Sequence, residues 1–197
     1  MENESQRERL ARCKKEVEEY PERASAHYNL GLAYTVSGRV KQAEESYLKA
    51  VEIDPSLVQA WVNLGGVRLL RWEFQGCLEA NQEAARMRDD LPIVHYNMGQ
   101  AYLYLNDPDN LVRCNQRVIE LDRNNGAAHY YTAVGQLALG NLGAAERYLG
   151  RAIELGHQPT QDFMKAIEKA QQKKAKHRNV NLVEISGANT PKKTKED

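Results

Sequence analysis

Apolar residues recur at intervals of three and four along most of this chain, the spacing that gathers them on one face of a helix. The pattern also repeats on a longer period. Asn29-Leu30-Gly31, Asn63-Leu64-Gly65 and Asn97-Met98-Gly99 share one form, Asn, apolar residue, Gly, and lie 34 residues apart. Self-similarity at that period marks stacked helix-turn-helix units. Helices of about 13 residues are marginal alone and take their stability from packing on the next. Aligned on the period, the chain divides into units at 24–57, 58–91, 92–125 and 126–159. The predicted fold is all-α, a right-handed α-solenoid with capping helices at both ends.

The punctuation agrees. Ser37-Gly38 and Leu139-Gly140 break hairpins, Asp107-Pro108 sets an N-cap before a proline at the first helical position, and Asp54-Pro55 and Leu91-Pro92 fall at unit boundaries. Small residues at Gly31, Gly65, Gly99 and Ala133, with Ala43 and Ala145 opposite, predict close helix approach. Within residues 1–23, Leu10, Cys13, Val17 and Tyr20 share a helical face, which predicts an N-terminal capping helix. Phe163, Ile167 and Ala170 predict a second capping helix over 160–178, and the polar, Gly- and Lys-bearing stretch 179–197 reads as a disordered basic tail. Its apolar cluster, Val180, Leu182, Val183 and Ile185, is tethered closely enough to compete for a binding face.

In the first unit His27, Leu30, Gly31, Tyr34, Ala43, Tyr47, Ala50 and Pro55 fall at the offsets of the tetratricopeptide repeat, which the chain resembles over 24–159. The fourth unit keeps Ala133, Gly140, Ala145, Leu149 and Ala152, the second keeps Trp61, Leu64, Gly65 and Ala84, and the third is looser after Tyr102. The resemblance implies a concave groove lined by the first helix of each hairpin, with Asn29, Asn63 and Asn97 at its centre. A ladder of carboxamides can pair with successive peptide groups of an extended ligand whatever its side chains. It resembles the asparagine ladder in the repeat arm of O-linked N-acetylglucosamine transferases, and it stops at Tyr131. Asn is also the commonest residue at this position in the family, which leaves a purely structural reading open.

The same carry-over places Tyr28, Leu32, Val36, Val62, Gly66, Leu70, Tyr96, Gln100, Tyr104, Tyr130, Tyr131 and Val134 along the groove, and none is charged. Family members that clamp C-terminal carboxylates use Lys or Arg where this chain has Tyr28, Ile93 and Ala127, so such a clamp is not expected. A tyrosine-rich apolar groove suits an amphipathic helix or an extended segment with apolar anchors. The alternative for each residue is packing between repeats. Trp72, in place of the turn glycine of unit two, is a candidate secondary contact at a hairpin tip.

His27, His95 and His129 hold the repeat's aromatic position, and side chains one repeat apart cannot share a metal, so core packing without metal is expected. Asn81 and Asn115 replace the second-helix aromatic and need buried partners, in each other or in a softer seam. Charge adds little: 27 basic and 27 acidic residues cancel, with a mildly acidic body and a basic C-terminal end. RNA or anionic lipid contact through Lys173–Arg178 is a weak possibility because no aromatics interleave. Neither a signal peptide nor a membrane span is expected, and three scattered cysteines, Cys13, Cys77 and Cys114, suggest a reducing, cytoplasmic setting. No phosphate-cradling glycine run or nucleophile elbow is found, and no cofactor is expected. The expected function is non-catalytic: a scaffold or adaptor binding a segment of another protein, the rivals being a homo-oligomer and a nucleic-acid accessory protein.

Overall fold

The computed structural model describes residues 5–185, with side chains through residue 174. Among them are ten helices and no strand: α1 (Gln6–Glu19), α2 (Ala24–Val36), α3 (Val40–Ile53), α4 (Val58–Leu70), α5 (Phe74–Met87), α6 (Pro92–Tyr104), α7 (Pro108–Leu121), α8 (Gly126–Ala138), α9 (Leu142–Glu154) and α10 (Gln161–Ile185). Each helix packs on its neighbours in the chain, and α6 also packs on both α4 and α8. First helices of successive hairpins therefore form one layer and second helices another, the all-α solenoid that the period predicts.

Local chemistry sets the helix ends. Ser5 and Glu8 form a capping box at the start of α1. Asp107 caps α7 by accepting from the Asn110 N–H at 3.1 Å, ahead of Pro108. All four hairpins turn in one way. The N–H groups of Arg39, Glu73, Asp107 and Asn141 donate to the carbonyls of Tyr34, Arg68, Tyr102 and Gln136. That Schellman closure places the preceding residue in the left-handed region. Those residues are Gly38, Trp72, Asn106 and Gly140, with φ of 70°, 64°, 55° and 79°. Two of the four turns thus form without glycine.

Packing within each hairpin follows the small-residue positions. A Cβ on Gly31 would meet the Tyr47 ring at 2.5 Å, one on Gly99 would meet the Asn115 amide at 2.7 Å, and one on Gly65 would strike the Asn81 amide. Tyr47 is fully buried and its hydroxyl lies 2.9 Å from Thr35 Oγ1. Burial raises its phenol above the usual range. Glu44 is also buried, held by Arg68 at 3.1 Å and by Arg71. The pair ties the second helix of unit one to the hairpin tip of unit two.

At the N-terminal end Cys13 packs with Leu30 and Ala33, and Leu10 and Val17 join them. Tyr20 does not share that packing. It lies past the end of α1, largely exposed, with the Arg23 guanidinium over its ring at 3.7 Å. The turn before Pro21 ends the helical register before Tyr20 can enter the seam. At the other end Phe163 and Ile167 of α10 cover unit four. Composition placed the end of this helix near 178, whereas α10 runs to Ile185, since the first helix-breaking residue is Gly187. The rest of the expected tail, 186–197, and the side chains of the 180–185 cluster lie outside the described residues.

Candidate interaction face

The exposed side of the first-helix layer is the candidate site. Helices α2, α4, α6 and α8 carry only one Asp, Glu, Lys or Arg between them, Arg68. Its guanidinium is turned to Glu44 and to the Gly76 carbonyl at 3.1 Å. The second helices hold the charges, many in pairs such as Lys49–Glu52, Arg117–Glu120 and Arg151–Glu154. One layer is neutral and the other is charged.

The three ladder asparagines differ. Asn29 is half-buried on the face, and no hydrogen bond engages its side chain among the described residues. Asn63 is half-buried and donates to the Tyr28 hydroxyl at 3.3 Å. Asn97 is buried and donates to Asn81 Oδ1 at 3.3 Å, across the seam between units two and three. Burial and this bond thus withdraw Asn97 from the face more than Asn29 and Asn63, with one amide N–H engaged inside the protein.

Burial sorts the remaining positions. Tyr28 and Leu32 are half-buried against the core of units one and two, Val62 packs toward Cys77 and Leu78, and Tyr131 and Val134 pack on the core of unit four. Tyr96 meets Tyr131 edge-on at 6.2 Å. Burial first, then the neighbouring Tyr131, raises the Tyr96 phenol above its usual range. Tyr130 is a second correction. It is buried beneath α10, edge-on to Phe163 at 5.3 Å and bonded to Thr160 at 3.1 Å. The capping helix takes the surface that a fifth repeat would have taken. Gln100 is buried too, and its Nε2 has no partner. By contrast Tyr104 and Trp72 are open, at 53% and 66% exposed.

Those two belong to an aromatic cluster at the hairpin tips. Phe74 stacks on Tyr104 with centroids 4.8 Å apart, and Trp72 meets Phe74 and Tyr104 edge-on at 5.9 and 5.2 Å. The sequence marks Trp72 as a departure from the turn glycine, but Phe74, two residues on, carries no such mark. The signal was a ring opening one second helix and a ring closing the next first helix, 30 positions later, which only the stacking brings together.

His95 and His129 are buried, His27 is half-buried, and all three make one repeated bond. Nε2 of His27, His95 and His129 lies 2.8, 3.0 and 3.2 Å from the carbonyls of Pro21, Asp89 and Arg123, and the Trp61 indole N–H donates likewise to Pro55 at 2.9 Å. Each ring thus closes on the carbonyl six residues before it. No group of three His, Cys, Asp or Glu side chains converges for a metal among the described residues. Asn81 and Asn115 do not pair with each other: each donates at 2.9 Å to the carbonyl four residues back, Cys77 and Leu111. Asn115 Oδ1 lacks a partner, at the unit whose successor has Tyr131 where Asn97 stands one unit earlier. A cleft of about 840 Å³ lies elsewhere, between the α8–α9 turn and α10, lined by Gln136, Asn141, Lys173 and Lys174. None of the expected site residues reaches it.

No described helix is long and apolar enough to cross a membrane. The chain is 29% identical over 153 residues to human Protein O-mannosyl-transferase TMTC3, covering 68% of this chain and 16% of that protein. The mouse protein matches at 27% over 136 residues, 60% of this chain and 15% of its own. This chain thus spans about a sixth of these relatives. The solved structure of MamA from Desulfovibrio magneticus RS-1 superposes with a TM-score of 0.72 at 18% identity, over 77% of this chain and 86% of that one. YrrB, described as a TPR protein with an unusual peptide-binding site, superposes at 0.68 and 21% identity, over 83% and 81%. Models of the tetratricopeptide repeat match residues 24–57 and 93–125, the first and third of the four hairpins. Period, hairpin geometry and family match coincide, and the chain belongs to the tetratricopeptide-repeat proteins.

Proposed function

We propose that this protein is a non-catalytic interaction scaffold whose first-helix layer holds a segment of another protein. The carrying observation is the charge segregation: one charged residue in four helices, and that one neutralised by Glu44. A neutral, tyrosine-bearing face excludes an anionic tail as its main ligand and favours apolar side chains with peptide groups between them. Asn29, Tyr28, Leu32, Asn63 and Tyr96 are the half-buried residues able to touch it. The peptide-binding site in the description of YrrB supports this reading by analogy of fold. The transferase relative does not carry its activity here, because the match spans only 16% of that protein. Cys13, Cys77 and Cys114, each buried at a separate place in the fold, support a reducing compartment such as the cytoplasm.

Photo-crosslinking tests the face. A benzophenone amino acid in place of Tyr28 or Tyr96 is expected to give protein adducts, while the same probe at the exposed second-helix residue Glu79 gives none. Equal adducts from both layers would defeat the assignment.

A further inference from the structure

We infer that the array has a built-in joint between units three and four, at which α8, α9 and the start of α10 open from α7 as one block. The joint divides the interaction face into a fixed and a movable part, because Tyr96 and Tyr131 meet across it.

The inference comes from equivalent positions at three successive junctions. Where unit one meets unit two they are Leu32, Tyr47 and Trp61, one period on they are Gly66, Asn81 and His95, and one further period on they are Gln100, Asn115 and His129. At the first junction the Tyr47 hydroxyl lies 2.9 Å from Thr35 Oγ1 and the Trp61 indole donates to the Pro55 carbonyl. At the second, Gly66 has no side chain, Asn81 Oδ1 accepts from Asn97, and His95 Nε2 lies against both the carbonyl and the carboxylate of Asp89. At the third, every position leaves a buried atom without a partner: Gln100 Nε2, Asn115 Oδ1 and His129 Nδ1. Among the described residues these three are the buried side-chain nitrogen and oxygen atoms so stranded. They belong to α6, α7 and α8, which pack on one another where unit four begins.

The ties between units weaken in the same place. Glu44 to Arg68 and Asn63 to Tyr28 join units one and two, and Asn97 to Asn81 joins units two and three. At the third junction Tyr131 replaces Asn97 and packs on Tyr96 and Tyr130, so Asn115 Oδ1 loses the donor that its equivalent has. Gln116 Nε2 does reach the Tyr148 hydroxyl across this junction, but the bond is exposed and 3.4 Å long. Apolar contact remains, as of Val112 with Gly135, and it is non-directional. The stability of a stacked array is a sum of unit and nearest-neighbour terms, so opening falls at the junction with the poorest term. Stranded buried donors and acceptors regain water on opening, which favours the third junction.

Hydrogen exchange of the full chain, read by mass spectrometry, tests the joint. Helices α2 and α3 are the control for α8 and α9, since each pair has one described helix beyond it. Amides of α8 and α9 are expected to exchange together, and about tenfold or more faster than those of α2 and α3. Asn115→Leu, which copies Leu149 of unit four, and Gln100→Leu, which copies Leu32 of unit one, are each expected to slow α8–α9 exchange about fivefold or more and to leave α2–α3 unchanged. Asn81→Leu is expected to act in the opposite sense and speed exchange from α6 onward, because Asn97 loses its acceptor. Equal exchange of the two pairs in the wild type overturns the joint, whatever the variants do. So does unchanged exchange in both the Asn115 and Gln100 variants, which would mean that water within the junction satisfies the stranded atoms. A gradual rise from α8 to α10, without a common rate, would mean fraying of an end and likewise overturn it. No arm uses a ligand, so the scaffold reading stands or falls separately.

Discussion

Asn97 donates its amide to Asn81 across 3.3 Å and so stitches α6 to α5 at the seam between the second and third repeats. Both residues are buried, and the Asn97 carbonyl also accepts from the Cys77 thiol at 3.7 Å. Loss of one partner leaves the other amide oxygen desolvated and unpaired. Asn97→Ala is therefore expected to lower the unfolding free energy by about 1–3 kcal/mol. Asn29→Ala, at the same register in repeat one, is expected to shift it by less than about 0.5 kcal/mol. Urea titration of both variants checks the contrast, and equal effects would return Asn97 to the binding face.

His95 illustrates a second hidden partner. Its slot is aromatic by family pattern, and volume alone would let Phe replace it. The structure shows that the slot also supplies a donor to the carbonyl six residues back, as Trp61 does in repeat two. His95→Phe is expected to cost about 1 kcal/mol through loss of the bond to the Asp89 carbonyl, which keeps only the Arg117 guanidinium at 3.4 Å, and His95→Trp to cost less if the larger ring fits. Thermal melts that rank Phe above Trp would show that apolarity outweighs the bond.

The architecture was legible in the sequence because the repeat is a local pattern: Gly31 against Tyr47, Pro92 at a helix start and Gly38 at a turn are chemical constraints within one unit. Contacts between units were not legible, because they depend on which side chains the stacking brings face to face. Asn97 and Asn29 share a register and a residue type, yet only Asn97 has an asparagine 16 residues before it, Asn81, where Asn29 has Cys13 and Asn63 has Tyr47. Tyr130 read as a groove residue until α10 was placed on it. Trp72 was visible as a departure from glycine, but its strain and its rings Phe74 and Tyr104 required coordinates.

Cys77 and Cys114 are each pushed up to about 11, mainly by burial, from the ordinary thiol value of 9.0. The folded state holds these protons more tightly than the unfolded chain. Their contribution to stability is fully present below about pH 9 and is lost as pH rises toward 11. The unfolding free energy is expected to fall over that interval, and to fall less in Cys77→Ala with Cys114→Ala. Tyr47, Tyr96 and Tyr102, whose phenols are also raised by burial, supply the residual slope. An identical pH dependence in the double variant would remove the thiols from the account.

Glu44 sits buried between Arg68 at 3.1 Å and Arg71, and through them it holds the tip of repeat two against repeat one. A carboxylate taken out of water repays its desolvation only while those guanidiniums face it. Glu44→Ala strands the largely buried Arg68 and is expected to cost about 3 kcal/mol. Replacing both, Glu44→Leu with Arg68→Leu, exchanges the pair for apolar packing and is expected to lie within about 1 kcal/mol of the wild type. The prediction separates the need for a partner from the worth of the pair itself. Denaturant melts decide it: a double variant as damaged as Glu44→Ala would mean that the ion pair itself holds the two repeats together.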